Sequence, residues 1–215
     1  MRVSTIGLFL VFSAVGLSPA SGQLPWESPL LVGPGSPGGV SVFLVDPGEG
    51  LGAMVQWQGK GETRRLGFRV GLAETHNDDL AVFGGVDFTG HLLSHSNEFP
   101  LDVIWVTGVG AGLGDGAVIT VPVGISLGRV ISDGDVWFHP YLGPRLVIDA
   151  FLGDGEPHSH GNSDPHTHGH DDLALGLALD LGVDFSFTGG WALRIGASVG
   201  DRDGLAVGFS IPAGR

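Results

Sequence analysis

A chain of 215 residues with no cysteine has neither a disulfide framework nor thiol chemistry. A formal net charge of −13 excludes the basic surface that nucleic-acid phosphates require, and 39 glycines argue against helix. The mean hydropathy of +0.27 is high for a soluble secreted domain, and the length suits a single all-β domain.

The chain opens "MRVSTIGLFLVFSAVGLSPASG", with Arg2, an apolar run and then small residues. That layout is expected of a secretory signal peptide over residues 1–22, cut after Ala20 or Gly22. The apolar run is shorter than the roughly 20 residues a spanning helix needs. Loss of Arg2 with the signal makes the net charge −14. Residues 23–37, "QLPWESPLLVGPGSP", are rich in Pro and Gly and read as an irregular lead-in, with no strand before Gly38.

From there strand-like segments alternate with turn-like breaks. Strands are expected near 38–46, 51–59, 64–73, 79–91, 99–111, 116–130, 135–150, 171–187, 190–200 and 203–212. The breaks "DPGEG", "HNDD", "LGDG", "SDGD", "TGG" and "GDRDG" carry turn chemistry. Period two is clearest in 173–187, where Leu173, Leu175, Leu177, Leu179, Leu181, Val183, Phe185 and Phe187 share one face. In the fifth segment Ile104 and Val106 share the parity of Asp102, which suggests a bulge or a shifted register. Pro140 and Pro144 lie inside the seventh, where missing ladder donors suggest a second bulge.

The polar face decides which side meets what. A water-facing sheet should carry long charged side chains. Here that face carries Gly, Ala, Ser and Thr, with isolated Arg69, Arg145 and Arg194 against Asp87, Asp149, Asp180 and Asp184. Small residues and pairable charges suit the filled interior of a narrow barrel. The leucine face is then the one that meets lipid. A closed barrel satisfies every strand amide within hydrocarbon. Trp57, Trp105, Trp137 and Trp191 are candidates for an interfacial belt, or else ordinary packing tryptophans.

On signal, alternation, glycine and turns over residues 38–212, the chain resembles small bacterial outer-membrane β-barrels of the eight-to-ten-strand kind. The resemblance implies an antiparallel up-and-down transmembrane barrel in a Gram-negative outer membrane, with both chain ends in the periplasm. Ten strands are expected, or eight if 38–46 and one other segment lie outside. Such barrels often end on an aromatic residue; this chain ends "GFSIPAGR", with Phe209 short of the end.

That topology makes 151–170 an extracellular loop. It contains His158, His160, His166, His168 and His170 amid carboxylates. Neutral imidazole ligates zinc, nickel and copper, so these five are the candidate metal ligands. No cofactor is required otherwise. "GLGDGA" (112–117) reads as a hairpin turn, not a dinucleotide loop. "HLLSHSNE" (91–98) holds triad residue types whose proximity in sequence does not make a triad. His139, Tyr141, Arg145 and Asp149 share interior parity and read as a hydrogen-bonded plug. The expected function is non-enzymatic: a porin-like outer-membrane protein with a structural or surface-binding role, its partners lipid and a divalent transition metal. The alternatives are a barrel enzyme modifying envelope lipids, or a soluble secreted β protein with its apolar face inward.

Overall fold

The computed structural model describes residues 26–47, 50–61, 63–74, 79–114, 116–152 and 173–212. It holds eleven strands and, among the described residues, no helix. They are β1 (Gly39–Asp46), β2 (Gly52–Gln58), β3 (Arg64–Glu74), β4 (Leu80–Leu93), β5 (Asp102–Leu113), β6 (Ala117–Gly128), β7 (Ile131–Asp133), β8 (Val136–Leu152), β9 (Leu173–Phe187), β10 (Ala192–Gly200) and β11 (Gly204–Pro212). Sequential strands pair antiparallel except β6 and β7; β6 pairs β8 instead, and β1 pairs β11. Ten strands thereby close into an up-and-down barrel. The three-residue β7 only extends the ladder beside the start of β8. The count of ten stands, and eight does not.

Gly39 pairs with Pro212, so β1 begins and β11 ends at one end of the barrel, the near end. The connection from Leu152 to Leu173 leaves from the far end. β8 and β9, at 17 and 15 residues, are the longest strands.

The pleat sorts the two faces as alternation demands. Every one of the ten barrel strands turns large apolar side chains outward, among them Val42, Val55, Val70, Val82, Val109, Val123, Leu146, Leu175, Leu193 and Val207. Outward charge is confined to strand ends, at Asp46, Arg64 and Glu74. Leu175 is 71% exposed, whereas Asp180 on the same strand is 4% and Arg194 on its neighbour 0%. The reverse arrangement, apolar face inward, is not the one the chain adopts.

Two local expectations are corrected. The prolines cause no bulge: Pro140 pairs with Val183 and Pro144 with Leu179 in unbroken register. The Pro140 carbonyl still accepts from the Arg129 amide, at 3.3 Å. The irregularity near Asp102 lies instead in β4, between His91 and Leu93. Ile104 and Val106 keep the inward parity of Asp102. Val106 is buried with Leu30 and Val32, and Ile104 packs against that cluster. Their parity looked wrong because their partners come from outside the strands.

Those partners belong to residues 26–38, which form no strand and fill the lumen. At the far end Ser28 Oγ donates to the Asp203 carbonyl of the β10–β11 turn (3.2 Å). At the near end Gly38 lies against Gly59 and Lys60 of the β2–β3 turn. The segment therefore runs down the barrel from far end to near end before β1 climbs back. Trp26, the first described residue, sits toward the far end and not beside Pro212, where a periplasmic start was expected.

Candidate functional site: the filled lumen

Three arginines line the wall, each facing a glycine across one strand boundary: Arg69 faces Gly85, Arg145 faces Gly124, and Arg194 faces Gly208. A Cβ at Gly124 would meet Arg145 itself, whereas the space left by Gly85 and Gly208 is taken by the rings of Trp26 and Phe43. Each arginine also meets a wall carboxylate. Arg69 Nη2 lies 3.2 Å from Asp87 Oδ2, Arg145 Nε 2.6 Å from Asp180 Oδ2, and Arg194 Nε 2.9 Å from Asp184 Oδ1. Arg194 and Asp184 are direct cross-strand partners; the other two pairs are diagonal. These charges are buried, and burial of a charge is tolerable only when it is paired and hydrogen-bonded.

Arg194 also donates to Gln56 and Ser41 and Arg145 to Ser198 on the wall, and each of the three arginines donates to the lumen segment. Arg69 donates to the carbonyls of Pro29 (3.3 Å) and Leu30 (2.6 Å). Arg194 donates to the Leu31 carbonyl (2.7 Å). Arg145 donates to the Glu27 carboxylate (3.2 Å) and carbonyl (3.3 Å). Arg202, from the β10–β11 turn, bridges Glu27 and Asp149. Asp180 accepts from the Leu30 amide (3.3 Å) and Asp184 from the Ser36 hydroxyl (2.6 Å).

Apolar packing follows the same plan. Trp26 occupies space left by Gly85, Gly108 and Gly110, where any Cβ would come within 2.7 Å of its ring. Its indole N–H donates to the Thr120 carbonyl (3.1 Å), and Arg69 stacks over the ring at 5.3 Å. Leu31 lies on Gly196 and Tyr141 on Gly33. Trp26 and Leu31 join Phe43, Val45, Met54 and Phe83 in the apolar core, which thus sits inside the barrel.

The interior quartet named from parity splits. Arg145 and Asp149 join the charge network, Thr120 Oγ1 donating to Asp149 at 2.8 Å. His139 Nδ1 is 2.6 Å from the Gly35 carbonyl. The Tyr141 hydroxyl is buried without a protein partner. In 91–98, Ser94 Oγ lies 3.0 Å from His91 Nε2, while His95 pairs separately with Asp102 (2.9 Å), all at the near end. "GLGDGA" spans the end of β5 and the start of β6, which pair antiparallel, and the Gly114 amide donates to the Gly116 carbonyl (2.9 Å). His158, His160, His166, His168 and His170 lie outside the described residues, as does the signal segment 1–22; among the described residues no His and carboxylate side chains cluster as a metal site.

Sequence reasoning missed residues 26–36. Two signals pointed to them. Inward positions such as Gly85, Gly108, Gly110 and Gly196 leave space that the segment's Trp26 and Leu31 fill. In addition, "WESPLLV" is too apolar for a solvated lead-in. No family model, no curated protein and no solved structure matches the chain.

Proposed function

We propose that the chain is an integral outer-membrane β-barrel with a structural or surface-binding role, exported by residues 1–22. The observation that carries this reading is the outer face. It is apolar on all ten strands and uncharged except at strand ends. In water so large a continuous apolar surface is an aggregation liability; in acyl chains it is the favoured solvent. The closed ladder leaves no barrel strand edge for hydrocarbon to strand unpaired.

Tryptophan placement supports the same reading. Trp57 ends β2, Trp105 lies near the start of β5 and Trp191 precedes β10, so these three gather at the near end. Trp137, near the start of β8, has instead the inward parity of His139 and Tyr141. Trp191 stacks between Phe187 (3.8 Å) and Phe209 (5.3 Å), and Trp57 packs on Phe68 (5.7 Å). An aromatic girdle of this kind favours the headgroup level. The test is gel mobility in detergent. The folded chain runs as a compact band that shifts on boiling; a chain that refolds as a soluble monomer without detergent overturns the proposal.

The proposal includes capture of zinc, nickel or copper by His158, His160, His166, His168 and His170. Imidazole chemistry supports it, as does the exit of their connection at the end opposite Gly39 and Pro212. Metal titration of the full chain against a chain lacking residues 157–170 tests it; unchanged affinity on deletion removes the metal role.

A further inference from the structure

We propose that the lumen is a binding site for a non-helical, turn-containing peptide, and that residues 26–36 are its resident ligand, held in cis. The wall reads main chain. Arg69, Arg145 and Arg194 together engage the carbonyls of Glu27, Pro29, Leu30 and Leu31, and Asp180 takes the Leu30 amide. Side-chain selectivity comes from pockets: glycines 85, 108 and 110 for Trp26, Gly196 for Leu31, and Val106 for Leu30 and Val32. Arg145 and Arg202 select an acidic residue after the tryptophan.

The segment does little to hold its own shape. Its internal bonds are confined to the turn where Gly33 and Ser36 bond each other. Leu31 has φ of 52°, a left-handed conformation that a bulky residue holds only when its surroundings impose it. The wall, by contrast, is complete by itself. All ten ladders close without the segment, and Arg69, Arg145 and Arg194 each keep a carboxylate of the wall. A self-sufficient host around an externally shaped guest is the arrangement of a receptor and its ligand. The ligand class is a non-helical, turn-containing peptide carrying Trp, then an acid, then paired branched apolar residues. The proposal holds whatever solvent meets the outer face.

The test uses the full chain, folded in detergent, with a protease site inserted between Pro37 and Gly38 and cut after folding. The freed segment should remain on the barrel through gel filtration. A fluorescent synthetic peptide of residues 26–37 should displace it in a dose-dependent way. A peptide with Trp26→Ala should be at least about tenfold weaker, and a scrambled peptide inactive. Immediate loss of the cut segment, displacement by the scrambled peptide, or no exchange on a barrel that stays folded would overturn the proposal. If the folded chain resists cutting, the full-length double variant Trp26→Ala, Leu31→Ala loosens the cis segment instead. It should bind the labelled peptide saturably where the parent chain does not. Absence of binding, or failure of that variant to fold, also overturns the proposal, because a receptor must stand without its tight occupant.

Discussion

Glycine here makes space more than it makes turns. Gly182 shows this: a Cβ there would sit 2.2 Å from Cζ of Tyr141, whose Cγ and Cδ1 would lie 2.5 Å from a Cβ at Gly33. Tyr141 is 6% exposed, and its ring occupies the space left by both glycines. Gly182→Ala should therefore destabilise the folded chain by about 1–3 kcal/mol, read as a lower urea midpoint in detergent. Tyr141→Leu in the same chain removes the clash, so the double variant should lose less than the sum of the two single changes. Strict additivity would mean that the ring and Gly182 do not touch.

Elements in this barrel have one solvent on the outside and a folded occupant on the inside. β5 carries the consequence, because its inward Ile104 and Val106 serve Leu30 and Val32 and not the neighbouring strands. Val32→Ala and Val106→Ala should each cost about 1–3 kcal/mol from lost burial. Together they should show a coupling of at least about 0.5 kcal/mol in a double-mutant cycle, since the two side chains share one contact. Zero coupling would separate the segment from β5. Sequence reading recovered all ten barrel strands because alternation is a local property of the backbone. It misjudged β5 because parity reports only which side a residue faces, not what waits there. It misjudged β8 because a proline is tolerated where the register is held on both sides by long neighbours.

For the whole molecule, one sheet has an outward apolar face and an inward face packed on its occupant, and the outward face carries the membrane reading. Val55 is outward, near the middle of β2, and 44% exposed. Val55→Arg should destabilise the chain in lipid vesicles by about 2–4 kcal/mol, as expected for arginine at bilayer depth. In a water-facing barrel the same change would be nearly neutral, so a null result in vesicles would sink the membrane reading. The lumen makes a separate prediction. With residues 26–38 and the arginine network in place, the intact chain should give no discrete conductance steps in a planar bilayer. Such steps would show an open path that this packing does not contain.

The amino-acid order alone determined the barrel strands, the apolar face and the polar face, since period two is written residue by residue and needs no partner, whereas the choice of ten strands over eight came from the closure of β1 on β11. The interior could not be read that way. Which segment fills a barrel depends on the volume left when inward side chains from ten strands, distant in sequence, are brought around one axis. Only tertiary structure sums that volume, and the sum left room for Trp26, Leu30, Leu31 and Val32, which by local signals belonged to a lead-in.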